Sequence, residues 1–349
     1  MAKYIVTVTF ANSRPSCAIG IRHASYFKSQ GRVDEFTFKK KGFVLVAERS
    51  TCYVDGEILK NSQNSLSKQI MKGLLVYYAL SPDFPKLKTI EIIRSSRQGD
   101  VVYTEAREFN QPLKPRVPRN FHLNDAHIDV CFEESEKGES VRIALSYWLK
   151  ALNSGDDYFK FDRLWRAYDR LLLYQGNSNK EIDGIRAIKA LIKANAALFH
   201  ESISLTSTYT YDYIRKFRWN KLLYSKSKKY NNVGEIVRLA KEYTDKRAIC
   251  LYKNLVAGPK VKNVLSIDQT NDVQAHFTAH NATVNEIDIV QLMSLTYTYY
   301  IRCKMFHGEV AESSFKLKQT DEDWEIHELV QLLEKVVFEL LDNNHILRV

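Results

Sequence analysis

The spacing of apolar residues changes along this chain, and that change limits the folds open to it. Residues 4–10, 43–48 and 87–94 are short stretches rich in β-branched and aromatic residues, which favours strands. A single helical pattern, residues 65–80, separates the second of them from the third. From Gly138 onward, apolar residues recur every three or four positions, as in helices with one buried face. The sequence therefore predicts an α+β N-terminal domain followed by an all-α helical bundle.

A proline-containing stretch separates the two patterns. Pro112, Pro115 and Pro118 stand among basic residues, and proline restricts both itself and the residue before it to extended conformations. A length of 349 residues also favours two domains over one. The predicted boundaries are residues 1–110 for the α+β domain, 111–137 for a linker and 138–349 for the helical domain.

Within the helical part, apolar spacing and capping residues predict individual helices. Thr283 with Glu286, and Thr320 with Asp323, have the form of capping boxes, and Gly308 is typical of a residue that follows a helix. The predicted helices include residues 141–152, a helix buried along Phe161, Leu164, Trp165, Tyr168, Leu171 and Leu172, and the segments 181–199 and 284–307, with a last long helix that begins near Thr320.

Net charge and cysteine usage indicate which kind of partner the chain binds and which cellular compartment it occupies. A net charge of +10 and a pI near 9.1 favour polyanions such as nucleic acid as partners. The five cysteines are scattered without a CxxC pair, which favours a reducing compartment over a zinc site or a disulfide framework. The N-terminus lacks the features of a signal peptide and no apolar run is long enough to span a membrane, so we expect a cytoplasmic protein.

The run YYIRCKMFHGE, residues 299–309, carries the most distinctive chemistry. It places Arg302 and His307 at the end of an apolar helical pattern, with four residues between them. Arginine offers a permanent fork of donors for a phosphate, and histidine exchanges protons near neutrality. The alternative is structural, with Arg302 as a surface ion-pair partner and His307 as a residue that caps an apolar helix.

Two segments resemble one family. The helix FDRLWRAYDRLLLY, residues 161–174, resembles the opening helix of bacterial HEPN domains, and YYIRCKMFHGE resembles their closing Arg-x4-6-His motif. The resemblance covers residues 138–349. It implies a compact α-helical domain, a homodimer, and a metal-independent endoribonuclease of abortive-infection, toxin–antitoxin or other antiviral defence systems. RNA, single-stranded or tRNA, is the implied substrate; no cofactor is expected, and the resemblance leaves room for an inhibitory or activating protein partner.

The same resemblance assigns roles to particular residues. Arg302 and His307 take the catalytic positions, and Asp169 stands where such helices often carry a polar Asn or Asp. Cys303 and Lys304 lie beside Arg302 and are candidates to support the site, although many members carry a small polar residue in place of Lys304. On an ideal helix Arg302 and His307 point about 140° apart, so a shared site needs a loosened last turn or two copies of the chain.

A second candidate surface is a basic stretch, residues 213–234, without an acidic residue. Its cations can hold phosphates while interleaved aromatic rings stack on unpaired bases, which favours single-stranded RNA. The alternative is a helix that buries its aromatic rings and exposes its lysines. The predicted RNA-binding residues are Arg215, Lys216, Arg218, Trp219, Lys221, Lys226, Lys228 and Lys229.

Other chemistry is weakly indicated. His122 and His127 with Asp125 and Asp129 could bind a metal, but a polar linker explains them better, and we predict no metal site. Cys303 on an apolar helix is more typical of packing than of a nucleophile. Two further classes of protein compete with the enzyme: a non-catalytic RNA-binding module that keeps the helical fold, and a protein-interaction module whose basic charge is incidental.

Overall fold

The computed structural model of the chain describes residues 2–11, 20–26, 31–50, 53, 56–61, 63–81, 85–109, 121, 123–223, 233–258, 265–306 and 320–348, with the backbone alone at 223 and 233–236. The described strands form one antiparallel sheet in the order β2-β3-β4-β1-β5-β6. They are β1 Ala2–Ala11, β2 Gly20–Ser25, β3 Val33–Lys39, β4 Gly42–Arg49, β5 Lys86–Ser95 and β6 Val101–Glu108.

One face of the sheet is covered by helix α1, Ser65–Leu80. On β1 the side chains of Tyr4, Val6, Val8 and Phe10 alternate into the core, as the two-residue period of a strand requires. Gly73 allows α1 to approach closely, because a Cβ atom there would lie 2.6 Å from the ring of Phe43 and 2.7 Å from that of Phe36. The strands and helix predicted for this part of the chain are confirmed.

The predicted linker is wrong in its second half. A 3₁₀ helix, Asp125–Phe132, occupies it, and the Phe132 ring lies 5.2 Å from that of Phe36 in the sheet core. Helix α2, Glu136–Leu152, begins five residues before the predicted start because Ser135 caps it, accepting a hydrogen bond from Gly138 N–H at 3.0 Å. The three prolines lie outside the described residues.

The rest of the chain is helical. The described α-helices are α3 Asp157–Gly176, α4 Glu181–Ala194, α5 His200–Ser207, α6 Tyr211–Ile214, α7 Trp219–Leu223, α8 Val233–Glu242, α9 Lys246–Ala257, α10 Ile267–Ala279, α11 Glu286–Gln291, α12 Thr298–Phe306 and α13 Asp321–Asp342. Short 3₁₀ turns cover Ala196–Leu198 and Asn344–Ile346. An antiparallel-sheet region followed by a helical region is therefore confirmed, and among the described residues no helix is long and apolar enough to cross a membrane.

Two further predicted helices have bounds that differ from the prediction. The helix predicted over 181–199 ends at Ala194, where Asn195 leaves the helical conformation. The segment predicted as one helix over 284–307 begins at Glu286 and contains a π-helical segment, Leu292–Tyr297, between α11 and α12. Its last predicted residue, His307, lies outside the described residues.

The two predicted capping boxes have different outcomes. At the first, Thr283 and Glu286 have other partners: the Thr283 carbonyl accepts from Lys246 N–H at 2.7 Å, and Glu286 pairs with Arg247. That box is therefore wrong. At the second, the Asp323 carboxylate accepts from the Thr320 N–H at 2.6 Å, which confirms the predicted start of the last helix.

The chain divides into two compact units whose bounds differ from the predicted domains. Helix α2 and the 3₁₀ helix belong with the sheet because both contact α1. Helices α3 and α13 each contribute residues to both units, so the boundary falls inside helices, where no linker composition marks it. The first unit comprises residues 1–155, 166–179 and 340–349, and the second comprises 156–165 and 180–339.

Candidate functional site around Arg302

Arg302 lies on α12, directly after the π-helical segment. All six residues of that segment are buried, and two of them are polar. The Thr296 hydroxyl lies 2.6 Å from the Tyr243 hydroxyl and accepts from Lys189 Nζ at 3.1 Å. Because the wider π turn rotates every later residue about the helix axis, these buried bonds help to decide which way Arg302 faces.

The guanidinium of Arg302 lies between a carboxylate and two aromatic rings. Its Nη2 forms an ion pair with Glu181, in the first turn of α4. Its central carbon is 4.5 Å from the centre of the Phe306 ring and 5.8 Å from that of Trp165. Trp165 is buried, whereas Phe306 is half exposed. The ion pair and the rings together fix a cation at the end of a helix.

The remaining donors of Arg302 are unused within the described part of the chain. Its Nε is buried and makes no hydrogen bond there, and Nη1 makes none either. Both Arg302 and Glu181 keep about a fifth of their side-chain surface exposed, 21% and 22%. Arg302 can bind a further anion through its Nη groups, because a guanidinium carries five donors and a single carboxylate engages few of them, whereas the buried Nε is out of reach.

The other residues predicted for this site are only partly placed. Cys303 and Lys304 are half-buried beside Arg302 on α12, and Lys304 Nζ lies 5.6 Å from the centre of the Tyr300 ring. Asp169 lies on α3, in the first unit. Since His307 lies outside the described residues, its distance from Arg302 stays a prediction, and so does the 140° separation.

In the basic stretch, Arg218 has a structural role. Its Nε donates to both carboxylate oxygens of Glu325 at 3.0 Å, and its Nη2 donates to Glu325 at 2.6 Å and to Glu322 at 3.0 Å. Burial alone would lower the pKa of Arg218, but the two carboxylates raise it above its usual value. The predicted RNA contact by Arg218 is therefore replaced by an internal ion-pair network.

Trp219 is also unavailable to a base. Its side chain is 2% exposed, its ring lies 4.6 Å from that of Tyr297, and its indole N–H donates to the Ile214 carbonyl at 2.8 Å. For Trp219 and the equally buried Phe217, the alternative of buried aromatic residues is the correct one. Base stacking needs an open ring face, which a buried ring lacks.

Exposed cations remain in the same stretch. Arg215, Lys216 and Lys221 are exposed, and Arg215 pairs with Asp212 at 3.0 Å. For these three residues, phosphate contact stays a prediction. The other predicted RNA-binding residues, Lys226, Lys228 and Lys229, lie outside the described residues.

The histidine–aspartate cluster is committed to other contacts. Asp125 and Asp129 both form ion pairs with Arg22, and His127 Nδ1 lies 2.5 Å from the Asp342 carbonyl oxygen. His122 lies outside the described residues. Across the part of the chain that the structure describes, no group of three or more His, Cys, Asp or Glu side chains is placed to hold a metal ion.

Sequence reasoning missed Glu181 and Phe306 as neighbours of the Arg302 guanidinium. Phe306 is four residues after Arg302, the spacing that brings side chains together on a helix, so this contact was open to prediction. Glu181 comes from a distant helix, and its position in an acidic first turn was the one local indication. Comparison of the chain with protein-family models, with curated proteins and with solved structures finds no match.

Proposed function

We propose that this chain is a metal-independent endoribonuclease of the HEPN type, with Arg302 and His307 as its catalytic residues. The observation that supports the proposal best is the state of Arg302: a guanidinium fixed by Glu181, Trp165 and Phe306, with donors to spare, five residues before a histidine. We also propose that the chain acts as a cytoplasmic homodimer in antiviral defence or in a toxin–antitoxin system. The motif supports the homodimer and the role in defence, and the scattered cysteines support the cytoplasm.

The proposed reaction is an intramolecular transesterification. A base, His307 of one copy, removes the proton of the ribose 2′-hydroxyl, and the 2′-oxygen forms a bond to phosphorus. The P–O5′ bond breaks, and a protonated imidazole returns the proton to the leaving 5′-oxygen. Arg302 stabilises the extra negative charge on the non-bridging oxygens of the phosphorane. The products are a 2′,3′-cyclic phosphate and a 5′-hydroxyl.

In this reaction Glu181 competes with the substrate. Its carboxylate holds Arg302 Nη2, which is also a donor that a phosphate would use. Arginine binds carboxylates and phosphates with the same fork geometry, so one anion displaces the other. Since Glu181 is a single, partly exposed carboxylate, its displacement costs about 1 kcal/mol or less. Phe306, half exposed beside the guanidinium, offers a ring face to a base next to the scissile phosphate.

The test is cleavage of labelled single-stranded RNA and tRNA in EDTA, with the termini of the fragments identified. We expect wild-type protein to leave cyclic phosphates, and Arg302→Ala or His307→Ala to lower the rate constant by about 100-fold or more. Arg186→Ala is the matched control. Arg186 is a mostly exposed arginine that pairs with Asp183, and both residues lie on α4, the helix that also carries Glu181. This variant should cleave like wild type.

Two outcomes would count against the proposal. Fragments with 5′-phosphates would exclude the cyclic-phosphate mechanism. RNA that stays bound but intact, in wild type and variants alike, would favour the second candidate, a non-catalytic RNA-binding module. The observation that favours this candidate is the Glu181 ion pair itself, which partly neutralises Arg302 and suits a structural arginine equally well. In that case substitution of Arg302 would change affinity alone.

A further inference from the structure

A half-open cavity in the first unit lies between α1 and α2, far in the sequence from Arg302. It encloses about 630 Å³, within the size range of small-molecule sites. Its apolar lining includes Met71, Leu75 and Ile143. Met71 is 56% exposed, and the other two are half-buried. These side chains would lose contact with water if a ligand with an apolar body filled the cavity.

The base of the cavity is a closed polar network. Lys72 is 4% exposed; its Nζ lies 2.6 Å from Glu134 and donates to the carbonyls of Ser25 and Phe132 at 2.7 Å and 3.3 Å. An ammonium has three donors, so these contacts use all of them. Lys72 therefore holds α1 to the strand and 3₁₀ helix around it, and it offers nothing to a ligand.

The other cations of the lining still have unused donors. The Lys68 side chain is exposed, and its ammonium makes no ion pair or hydrogen bond to the described residues. Arg142 donates through Nη1 to the Cys131 and Glu133 carbonyls, while its Nε and Nη2 make no hydrogen bond within the described residues. Glu139 also lines the cavity, and its exposed carboxylate has no partner among the described residues. Beyond the Lys72–Glu134 pair, the lining therefore carries two cations and one carboxylate.

We propose that this cavity binds a small amphipathic anion, with its charged group at Lys68 and Arg142 and its apolar body against Met71, Leu75 and Ile143. The apolar lining favours a ligand with an aromatic or aliphatic body, and the unused donors favour a carboxylate, sulfonate or phosphate on it. The carboxylate of Glu139, which has no partner among the described residues, repels an anionic ligand. The lining of the cavity shares no residue with the candidate site around Arg302, and this inference does not depend on the proposed ribonuclease activity.

Two fluorescent probes with the same apolar body test the inference on the full-length chain. 8-Anilinonaphthalene-1-sulfonate carries a sulfonate, and N-phenyl-1-naphthylamine lacks it. We expect the sulfonate to bind at one saturable site and more tightly than the neutral probe. Lys68→Gln should weaken sulfonate binding by up to about fivefold, and Glu139→Gln should tighten it by a similar factor, because each removes one partly exposed charge contact.

Controls separate this site from general hydrophobic binding. Met71→Asp should weaken both probes, since it removes an apolar wall and adds a negative charge at an exposed position that tolerates substitution. Lys150→Gln, an exposed lysine near the end of α2 that does not line the cavity, should leave both affinities unchanged. Equal affinity for the two probes, or no opposite response of Lys68→Gln and Glu139→Gln, would overturn the inference.

Discussion

Two arginines of the second unit, Arg218 and Arg302, have nearly the same exposure but different surroundings. Their side chains are 19% and 21% exposed, and each forms an ion pair with a glutamate. Glu325, one of the two glutamates that pair with Arg218, is fully buried and also accepts from the Tyr297 hydroxyl at 2.9 Å. Glu181, the partner of Arg302, keeps 22% of its side chain exposed. The two arginines therefore differ in the burial of their partner carboxylates, and not in the exposure of their own side chains.

This difference separates a structural cation from an available one. Removal of Arg218 would leave a buried carboxylate without its cation, which is among the most destabilising changes in a folded protein. Removal of Arg302 would leave a carboxylate that water can reach, which costs little. An arginine is therefore a candidate for substrate binding when some of its N–H donors make no hydrogen bond and its partner carboxylate is partly exposed.

The largest effect that tests this comparison concerns stability. Arg218→Ala should lower the free energy of unfolding by about 3–5 kcal/mol, because Glu325 would stay buried and uncompensated. Arg302→Ala should lower it by about 1 kcal/mol or less. Urea unfolding of both variants measures the two values, with Arg215→Ala as an exposed-arginine control. Equal costs for Arg218 and Arg302 would remove the basis for treating Arg302 as available.

The second-largest expected effect concerns Glu339, a buried carboxylate that accepts hydrogen bonds from a hydroxyl and from backbone N–H groups, whereas Glu325 accepts from an arginine. Glu339 accepts from the Ser202 hydroxyl at 2.6 Å and from the backbone N–H groups of Glu201 and Ser202 at 2.5 Å and 3.1 Å. Burial raises the pKa of Glu339 from 4.5 to about 7 in spite of these bonds. The folded chain therefore binds one more proton than the unfolded chain between these two pH values.

This difference fixes the sign of the pH dependence. The stabilisation that comes from the raised pKa is full below pH 4.5 and is lost as the pH rises through about 7. This stabilisation amounts to about 3 kcal/mol at most, which is the free energy that corresponds to the whole pKa shift of Glu339. Unfolding by urea across this range should show the decline, and Glu339→Gln should flatten it. Glu139→Gln, at an exposed position, should keep the wild-type slope; a flattened slope there would reject the assignment to Glu339.

The sequence determined the elements better than the contacts between them. The stripe that contains Phe161, Trp165 and Tyr168 predicted α3 and its buried face, because a helical period is a local property. The π-helical segment was not predictable: LMSLTY is compatible with an α-helix, and its Thr296 contacts Lys189 of α4 and Tyr243, which directly follows α8. Arg218 and Trp219 were misassigned for the same reason, since Glu325 and Tyr297 are distant in the sequence.

A smaller expected effect concerns Arg302, the available arginine of the comparison. It tests whether the Glu181 carboxylate and an RNA phosphate compete for the guanidinium. Glu181→Gln should raise the rate of RNA cleavage by up to about fivefold, since a neutral amide competes less well with phosphate for the guanidinium. Single-turnover cleavage at low salt measures the change. Asp183→Asn, in the same turn of α4 but paired with Arg186, is the matched control. A lower rate for Glu181→Gln would mean that Glu181 positions Arg302 for the reaction.

The smallest effect concerns cations outside any ion-pair network. Lys221 is exposed at α7 and makes no ion pair with the described residues, so it resembles neither Arg218 nor Arg302. If it contacts an RNA phosphate, Lys221→Glu should weaken binding and lower the slope of log affinity against log salt by about 1. Lys193→Glu, an exposed lysine on α4, makes the same change in net charge. If both variants shift the slope equally, the charge of the whole chain explains RNA affinity; if Lys221→Glu alone shifts it, the exposed cations of residues 213–234 form a defined phosphate-binding surface.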